Sequence, residues 1–355
     1  MIRPAPLAGL PVLALALGLL AGCSPNAADD GDGATGLTVA VVPKGTTHEF
    51  WKSVHAGALD AAKELSTPER PIKILWKGSQ EESDTAGQIR VVQNFLTRGV
   101  DGVVLAPNDS GGLVDAVAEA GDLDVPVVIF DSGLAPSAAE QGAETVSFVA
   151  TDNYVGGRKA AARLAEAMAN AEGQSLSGRG KPGVILLRYK AGSESTEQRE
   201  EGFLAELREN HPEIEILSDD QYAGTTPEES LANATQVLQR FESEFDERPG
   251  GIFAVCEPNA DGVHRALKEL GLTDRVSFVA FDPNESLVAG LKDGSVDGIV
   301  VQDPVGMGKK AVRALVAHID GETVEARIDT GVTVATPENV DDAEVAKLLA
   351  PPRAE

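Results

Sequence analysis

Two short apolar runs in this chain each stop on an aspartate: Val127-Val128-Ile129-Phe130-Asp131 and Phe278-Val279-Ala280-Phe281-Asp282. Turn residues follow both, Ser132-Gly133 and Pro283-Asn284. Runs of this length without polar alternation, set between helical patterns, predict strands buried on both faces, as parallel sheets require. In open α/β sheets a ligand sits beyond the carboxyl ends of the strands. An aspartate at that place in each half of the chain predicts two similar domains facing one polar ligand across a cleft.

The rest of the sequence sustains the alternation. Strands are expected at Leu37–Val42, Ile72–Trp76, Gly102–Leu105, Val127–Phe130 and Val146–Val149, with helices at Phe50–Leu65, Thr85–Arg98 and Leu113–Ala120 between them. A second series reads helix Val155–Met168, strand Gly183–Arg188, helix Ser195–Asn210, strand Ile214–Ser218, helix Pro227–Phe245, strand Gly251–Val255, helix Asn259–Leu270 and strand Val276–Phe281. Helix Glu285–Asp293, strand Gly298–Gln302, helix Val305–Asp320, one strand over Ile328–Val334 and a short helix near Val340–Leu349 complete it. Strands and helices alternating at this spacing predict parallel sheets covered on both faces. The Gly-Ser-rich stretch Gly173–Gly183 reads as a surface loop.

The amino terminus sets the compartment. Arg3 precedes an apolar run from Leu7 to Leu20, too short for an ordinary membrane span and suited to the core of a signal peptide. Leu20-Ala21-Gly22-Cys23 resembles a bacterial lipobox, whose cysteine becomes the lipidated first residue of the mature chain. The expectation is a signal peptide over 1–22, an anchor at Cys23, a polar tether over 23–36, and an extracytoplasmic, lipid-anchored protein. Acidic residues number 56 against 30 basic ones, a formal charge of −26. Such a surface repels nucleic-acid phosphates, so no nucleic-acid partner is expected. Apart from Cys23 the only cysteine is Cys256, which leaves no disulfide and no Cys/His metal framework. No metal and no cofactor is expected.

Several motifs then occur in a telling order: Val41-Val42-Pro43 followed by Phe50-Trp51 and Gly57-Ala58; Leu105-Ala106-Pro107-Asn108-Asp109-Ser110; Thr151-Asp152-Asn153-Tyr154-Val155-Gly156-Gly157; and Arg199-Glu200-Glu201-Gly202-Phe203. In that order and spacing, over nearly all of Leu37–Val334, the chain resembles the type I periplasmic binding proteins, in particular the ribose/galactose/xylose group that serves ABC importers. The resemblance implies two Rossmann-like doubly wound lobes joined by three crossings, residues 37–150 with 303–331 forming one and 151–302 with 332–355 the other. It also implies a sugar-like ligand held between lobes that close by hinge bending, an ABC permease as partner, and a monomer.

Each expected ligand residue has a physical reading beside that resemblance. Phe50 and Trp51 can lay aromatic faces on the C–H face of a sugar ring, or can staple the first helix to the core. Asp131 matches the family aspartate; an ionised carboxylate accepts two hydroxyl donors at once, the alternative being a helix cap. Asp282 is its counterpart in the second half. The resemblance places Arg199 at the ligand, where its guanidinium fork could donate to hydroxyls or hold the carboxylates. It likewise assigns Asn153 and Gln302 to amide-bearing pocket positions, and Thr151, at the crossover, is a hinge or pocket hydroxyl.

Some positions depart from the ribose-type pattern. Ser132 stands where that pattern has an arginine, Ala106 where it has an asparagine, and Thr46-Thr47-His48-Glu49 replaces an asparagine-rich loop. Cys256 aligns with a pocket asparagine, whose space Asn259 could reach. Ribose itself is therefore not the expected ligand; a sugar or polyol derivative is, with His48 a further candidate contact.

Other readings fare less well. Gly31-Asp32-Gly33-Ala34-Thr35-Gly36 spells G-x-G-x-x-G, but it precedes the first strand instead of linking a strand to a helix. A glycoside hydrolase could use Asp131 and Asp282 as its acid and base, yet no separate catalytic signature accompanies them, and no catalytic residue is expected. A repressor effector domain would need a DNA-reading module and no export signal. A sensor that presents its closed form to a receptor kinase is the remaining alternative to an importer component.

Overall fold

A computed structural model of the chain describes residues 36–172 and 180–354. The signal run, Cys23, the tether and residues 173–179 of the Gly-Ser stretch lie outside the described residues.

The chain begins with β1 (Leu37–Val42), α1 (Glu49–Leu65), β2 (Ile72–Trp76), α2 (Thr85–Thr97), β3 (Gly102–Leu105), α3 (Val114–Asp122), β4 (Val127–Phe130) and β5 (Ser147–Ala150). It crosses through α4 (Asn153–Glu172) into β6 (Gly183–Arg188), α5 (Glu194–Asn210), β7 (Glu215–Tyr222), α6 (Pro227–Glu247), β8 (Gly250–Ala254), α7 (Glu257–Leu270), β9 (Val276–Phe281), α8 (Glu285–Asp293) and β10 (Gly298–Val301). Then follow α9 (Pro304–Ile319), β11 (Arg327–Asp329), β12 (Thr333–Ala335) and α10 (Ala343–Leu349).

The strands sort into two six-stranded sheets, ordered β11-β5-β4-β3-β1-β2 and β12-β10-β9-β8-β6-β7. The first is parallel throughout. The second is parallel except that β12 runs antiparallel to β10, a departure from the all-parallel expectation. Both orders place the first and third strands side by side, so the connections diverge there to opposite faces, the point where doubly wound sheets bind ligands.

Both faces of each sheet are dry. In β1, Val39 and Val41 join one core cluster while Ala40 and Val42 join another. In β6, Ile185 and Leu187 face one cluster, Val184 and Leu186 its opposite. That two-sided burial explains the unbroken apolar runs in the sequence.

Three segments connect the lobes: β5 to α4, β10 to α9, and β11 to β12. Asp303 caps α9 by accepting from Gly306 N at 2.7 Å, with Pro304 in the first turn, so the second crossing has a fixed exit. The third corrects the sequence reading. Ile328–Val334 is not one strand but two, in different sheets, because Gly331 sits between them at φ 81°, a conformation that glycine adopts without steric cost.

Close packing fixes the helix that bears Arg199. A Cβ on Gly202 of α5 would lie 2.0 Å from Tyr154 O, and one on Gly157 of α4 would lie 2.0 Å from Arg199 O. The glycines let the two backbones meet, which accounts for their place in the motifs.

Candidate functional site

The strand ends turn sharply where the two aspartates stand. Asp131 has φ 61° and Asp282 φ 65°, the left-handed region in which aspartate is enriched over most residues. Each still donates its backbone N–H to the neighbouring strand end, Asp131 to Val149 O at 3.0 Å and Asp282 to Val300 O at 2.9 Å. The two lobes thus present the same device, a carboxylate lifted off the end of a central strand.

Both line one cavity between the lobes. The second-lobe wall is a linked polar set. Gln302 Nε2 donates to Asp282 Oδ1 at 2.9 Å, and Arg199 Nη1 stands 3.6 Å from Asp282 Oδ2. The guanidinium is oriented by Nε donating to Asn153 Oδ1 at 2.8 Å and Nη1 to Val255 O at 2.9 Å, and it lies 3.7 Å above the Phe281 ring. Burial pushes the Asp282 carboxyl up to about 6, against the opposing pull of Arg199 and Gln302.

The first-lobe wall contains groups that the sequence reading did not single out. Lys44, in the loop after β1, pairs with Asp131 Oδ2 at 2.8 Å and is 3% exposed. Glu82, in the loop after β2, accepts from Trp51 Nε1 at 2.7 Å and from His48 Nδ1 at 2.8 Å on one oxygen, and from Tyr189 OH at 3.0 Å on the other. Burial alone would raise the Glu82 carboxyl, but His48, Lys44 and Trp51 outweigh it and hold the group at about 2. Burial likewise works against a charged His48, and Glu82 raises it nonetheless. Each group favours the charged form of the other. Glu257, which also lines the cavity, is raised by its burial.

The other expected residues divide. Phe50 and Trp51 line the cavity; the Trp51 ring also packs edge-on to Phe50 and Phe130, with centroids 4.9 and 6.0 Å apart, so it serves the core as well. His48 lines the cavity too. Four residues do not reach it. Asn153 stands behind Arg199. Ser132 turns its hydroxyl to accept from Ser195 N at 3.1 Å. Thr151 pairs with Thr330 Oγ1 at 3.1 Å and joins two of the crossings. Asn259 donates to Gly224 O and Ser230 Oγ, both at 2.9 Å; helix α7 starts at Glu257 and aims Asn259 away, leaving Cys256 and Pro258 on the wall. The Cys256 thiol is driven far up by burial and stays protonated.

Further bonds close the lobes on each other: Ser110 N to Gly192 O at 2.9 Å, Gly133 N to Glu194 Oε2 at 2.8 Å, and Lys190 Nζ to Asn108 O. Among the described residues no cluster of His, Cys, Asp and Glu could hold a metal, and no helix is long and apolar enough to cross a membrane.

Comparison with known proteins agrees with this architecture. Residues 39–323 match the family model described as a periplasmic binding protein domain. The ribose import binding protein of Bacillus subtilis is 26% identical over 336 residues, 92% of this chain and 97% of the relative. A carbohydrate transporter solute binding protein from Agrobacterium radiobacter, solved with D-arabinose, is 32% identical with a TM-score of 0.79, covering 89% of this chain and 99% of that one. An ABC transporter solute binding protein from Agrobacterium vitis, solved with D-fucose, is 32% identical with a TM-score of 0.78, covering 88% and 99%.

Proposed function

The chain belongs to the periplasmic binding protein family, and from that premise we propose that it captures an uncharged sugar or sugar-like polyol between its lobes and delivers it to an ABC importer. The observation that carries the reading is that Asp131 and Asp282, on matched strand ends of opposite lobes, line one cavity.

The balance of hydrogen-bonding groups supports it. Asp131 Oδ2 is taken by Lys44, and among the described residues no donor reaches Oδ1. Gln302 Oε1 is buried without a partner, and Arg199 is too far from Asp282 Oδ2 for a good bond. A ligand that donates several hydrogens satisfies these acceptors, as a polyol does. Charge points the same way. The wall carries four acidic groups, Glu82, Asp131, Glu257 and Asp282, against Lys44, His48 and Arg199. An anionic ligand would add charge to a wall on which acidic groups already outnumber basic ones, and a neutral one suits the near balance. Phe50 and Trp51 supply the apolar face, while Ser132, Thr151, Asn153 and Asn259 support the walls from behind.

The lobes comprise residues 37–150 with 303–331 and 151–302 with 332–355, an assignment that follows the sorting of strands into sheets. Ligand bonds made on both sides favour the shut arrangement over the open one, and the shut surface is what a permease reads. No bond is made or broken. The signal peptide, the lipid on Cys23 and the extracytoplasmic location complete the proposal, with the protein acting as a monomer.

A thermal-shift panel tests it. D-arabinose, D-fucose, ribose and polyols are compared with amino acids and sugar phosphates. A ligand present at 100 times its Kd should stabilise the fold by about 2.7 kcal/mol. The proposal fails if only charged compounds raise the melting temperature.

A further inference from the structure

The side chain of Lys44 has no hydrogen to spare. Its ammonium donates at 2.8 Å to Asp131 Oδ2 on its own lobe, and at 2.8 Å to Ser195 Oγ and 3.3 Å to Ser193 Oγ on the other. An ammonium has three donors and no acceptor, so all are used within the protein. Ser193 and Ser195 stand at the amino end of α5, which carries partial positive charge. The lysine is therefore held there by Asp131 and the hydroxyls against an unfavourable field. Ser132, next to Asp131, accepts from the Ser195 amide, and among the described residues no bond runs from its hydroxyl to the carboxylate.

Resting on the reading that a hydroxylated solute binds in this cavity, we infer that Lys44 is a positioning residue that couples the orientation of Asp131 to closure of the lobes and thereby sets specificity. With Oδ2 tied to Lys44, Asp131 presents only Oδ1 to the solute. When the lobes part, Ser193 and Ser195 withdraw, the ammonium regains water, and the carboxylate is free to turn. Aligning the acceptor and shutting the cleft are one step. The specificity follows from the donor count. Since the ammonium has nothing to offer an ether oxygen, this end of the site takes a hydroxyl that donates and rejects the same position when it is deoxygenated or O-methylated.

The test uses the sugar that stabilises the wild-type protein most, with its deoxy and mono-O-methyl analogues. Binding is measured by calorimetry for wild type, Lys44→Met, Lys44→Arg, Ser195→Ala and the Lys44→Met/Ser195→Ala double variant. Lys44→Met should bind the parent sugar on the order of 30-fold more weakly or worse, because Asp131 loses its buried counter-ion. It should also lose preference for the parent over the O-methyl analogue that wild type rejects most strongly, since an Asp131 no longer tied through Oδ2 can turn its acceptor away from that position. Lys44→Arg should restore most of the affinity. Ser195→Ala should weaken binding by less, and the double variant should be no worse than Lys44→Met alone, the mark of a shared interaction. Additive losses, or equal losses for the sugar and its ethers, overturn the inference. If no sugar binds wild type, it is the proposed function that fails; the coupling is then read in the ligand-free protein by hydrogen exchange. The Ser195 amide should exchange faster in Lys44→Met than in wild type, and unchanged exchange overturns the inference in that case too.

Discussion

Replacing Asp282 by asparagine should make the ligand-free protein more stable while weakening its binding. The carboxyl is buried and pushed up to about 6 from an ordinary 3.8. That gap, at roughly 1.4 kcal/mol per pH unit, means that keeping Asp282 ionised costs the fold about 3 kcal/mol near neutrality. The sign follows from proton counting. A carboxyl whose folded pKa lies above its unfolded one binds more protons when folded, so stability falls as pH rises from about 4 to about 6 and then levels off. Asparagine matches the protonated shape, keeps a partner for Gln302 and carries no charge to desolvate. The stability gained by Asp282→Asn over wild type should be near zero at about pH 4, grow through the interval, and reach up to about 3 kcal/mol above about pH 6. Urea unfolding of both proteins across this range measures it, and titrations elsewhere in the chain cancel in the difference. A variant less stable than wild type at neutral pH, or a difference that does not change with pH, would refute the reasoning. The result expected is the signature of a charge kept in place for function at a cost to stability.

Tyr189→Phe removes the only second-lobe donor described on Glu82; since that bond forms across the lobes, ligand affinity should fall about ten-fold or more in calorimetry. Gly202→Ala drives a Cβ to 2.0 Å from Tyr154 O, so α4 and α5 must part. Unfolding should report a loss of at least about 1–3 kcal/mol, and binding should weaken because Arg199 rides on the same helix. Cys256, buried and with its thiol driven far up, should resist alkylation at mildly alkaline pH in the native protein and react on unfolding; fast labelling of the folded form would contradict its placement.

The lobes were legible because two-sided burial writes itself into a sequence. Strands such as Val127–Phe130 and Val276–Phe281 carry no polar residue that a solvated face would need apart from Ser277. The third crossing was not legible, since the alternation of Ile328–Val334 runs through Gly331, and only the dihedral there divides it between two sheets. At the site, Asp131, Asp282, Arg199 and Gln302 could be found as strand-end residues or motif members. Lys44 and Glu82 sit in loops without periodicity, where a charged residue looks like ordinary surface; only the tertiary fold buries them. The strand-end rule could have found them, because the loops after β1 and β2 open on the same edge as those after β4 and β9. Asn259 went the other way. Its type suited the pocket, but the phase of the first turn of α7 decides its direction, and spacing does not reveal that phase.

The most direct measurement is a crystal structure of the protein grown with the sugar that stabilises it most. The account places the sugar between the lobes, with hydroxyls within hydrogen-bond reach of Asp131 Oδ1 on one side and of Asp282 on the other, and with Lys44 still bound to Asp131 and Ser195. A sugar bound outside this cavity, or one presenting a charged group to the two aspartates, would contradict it.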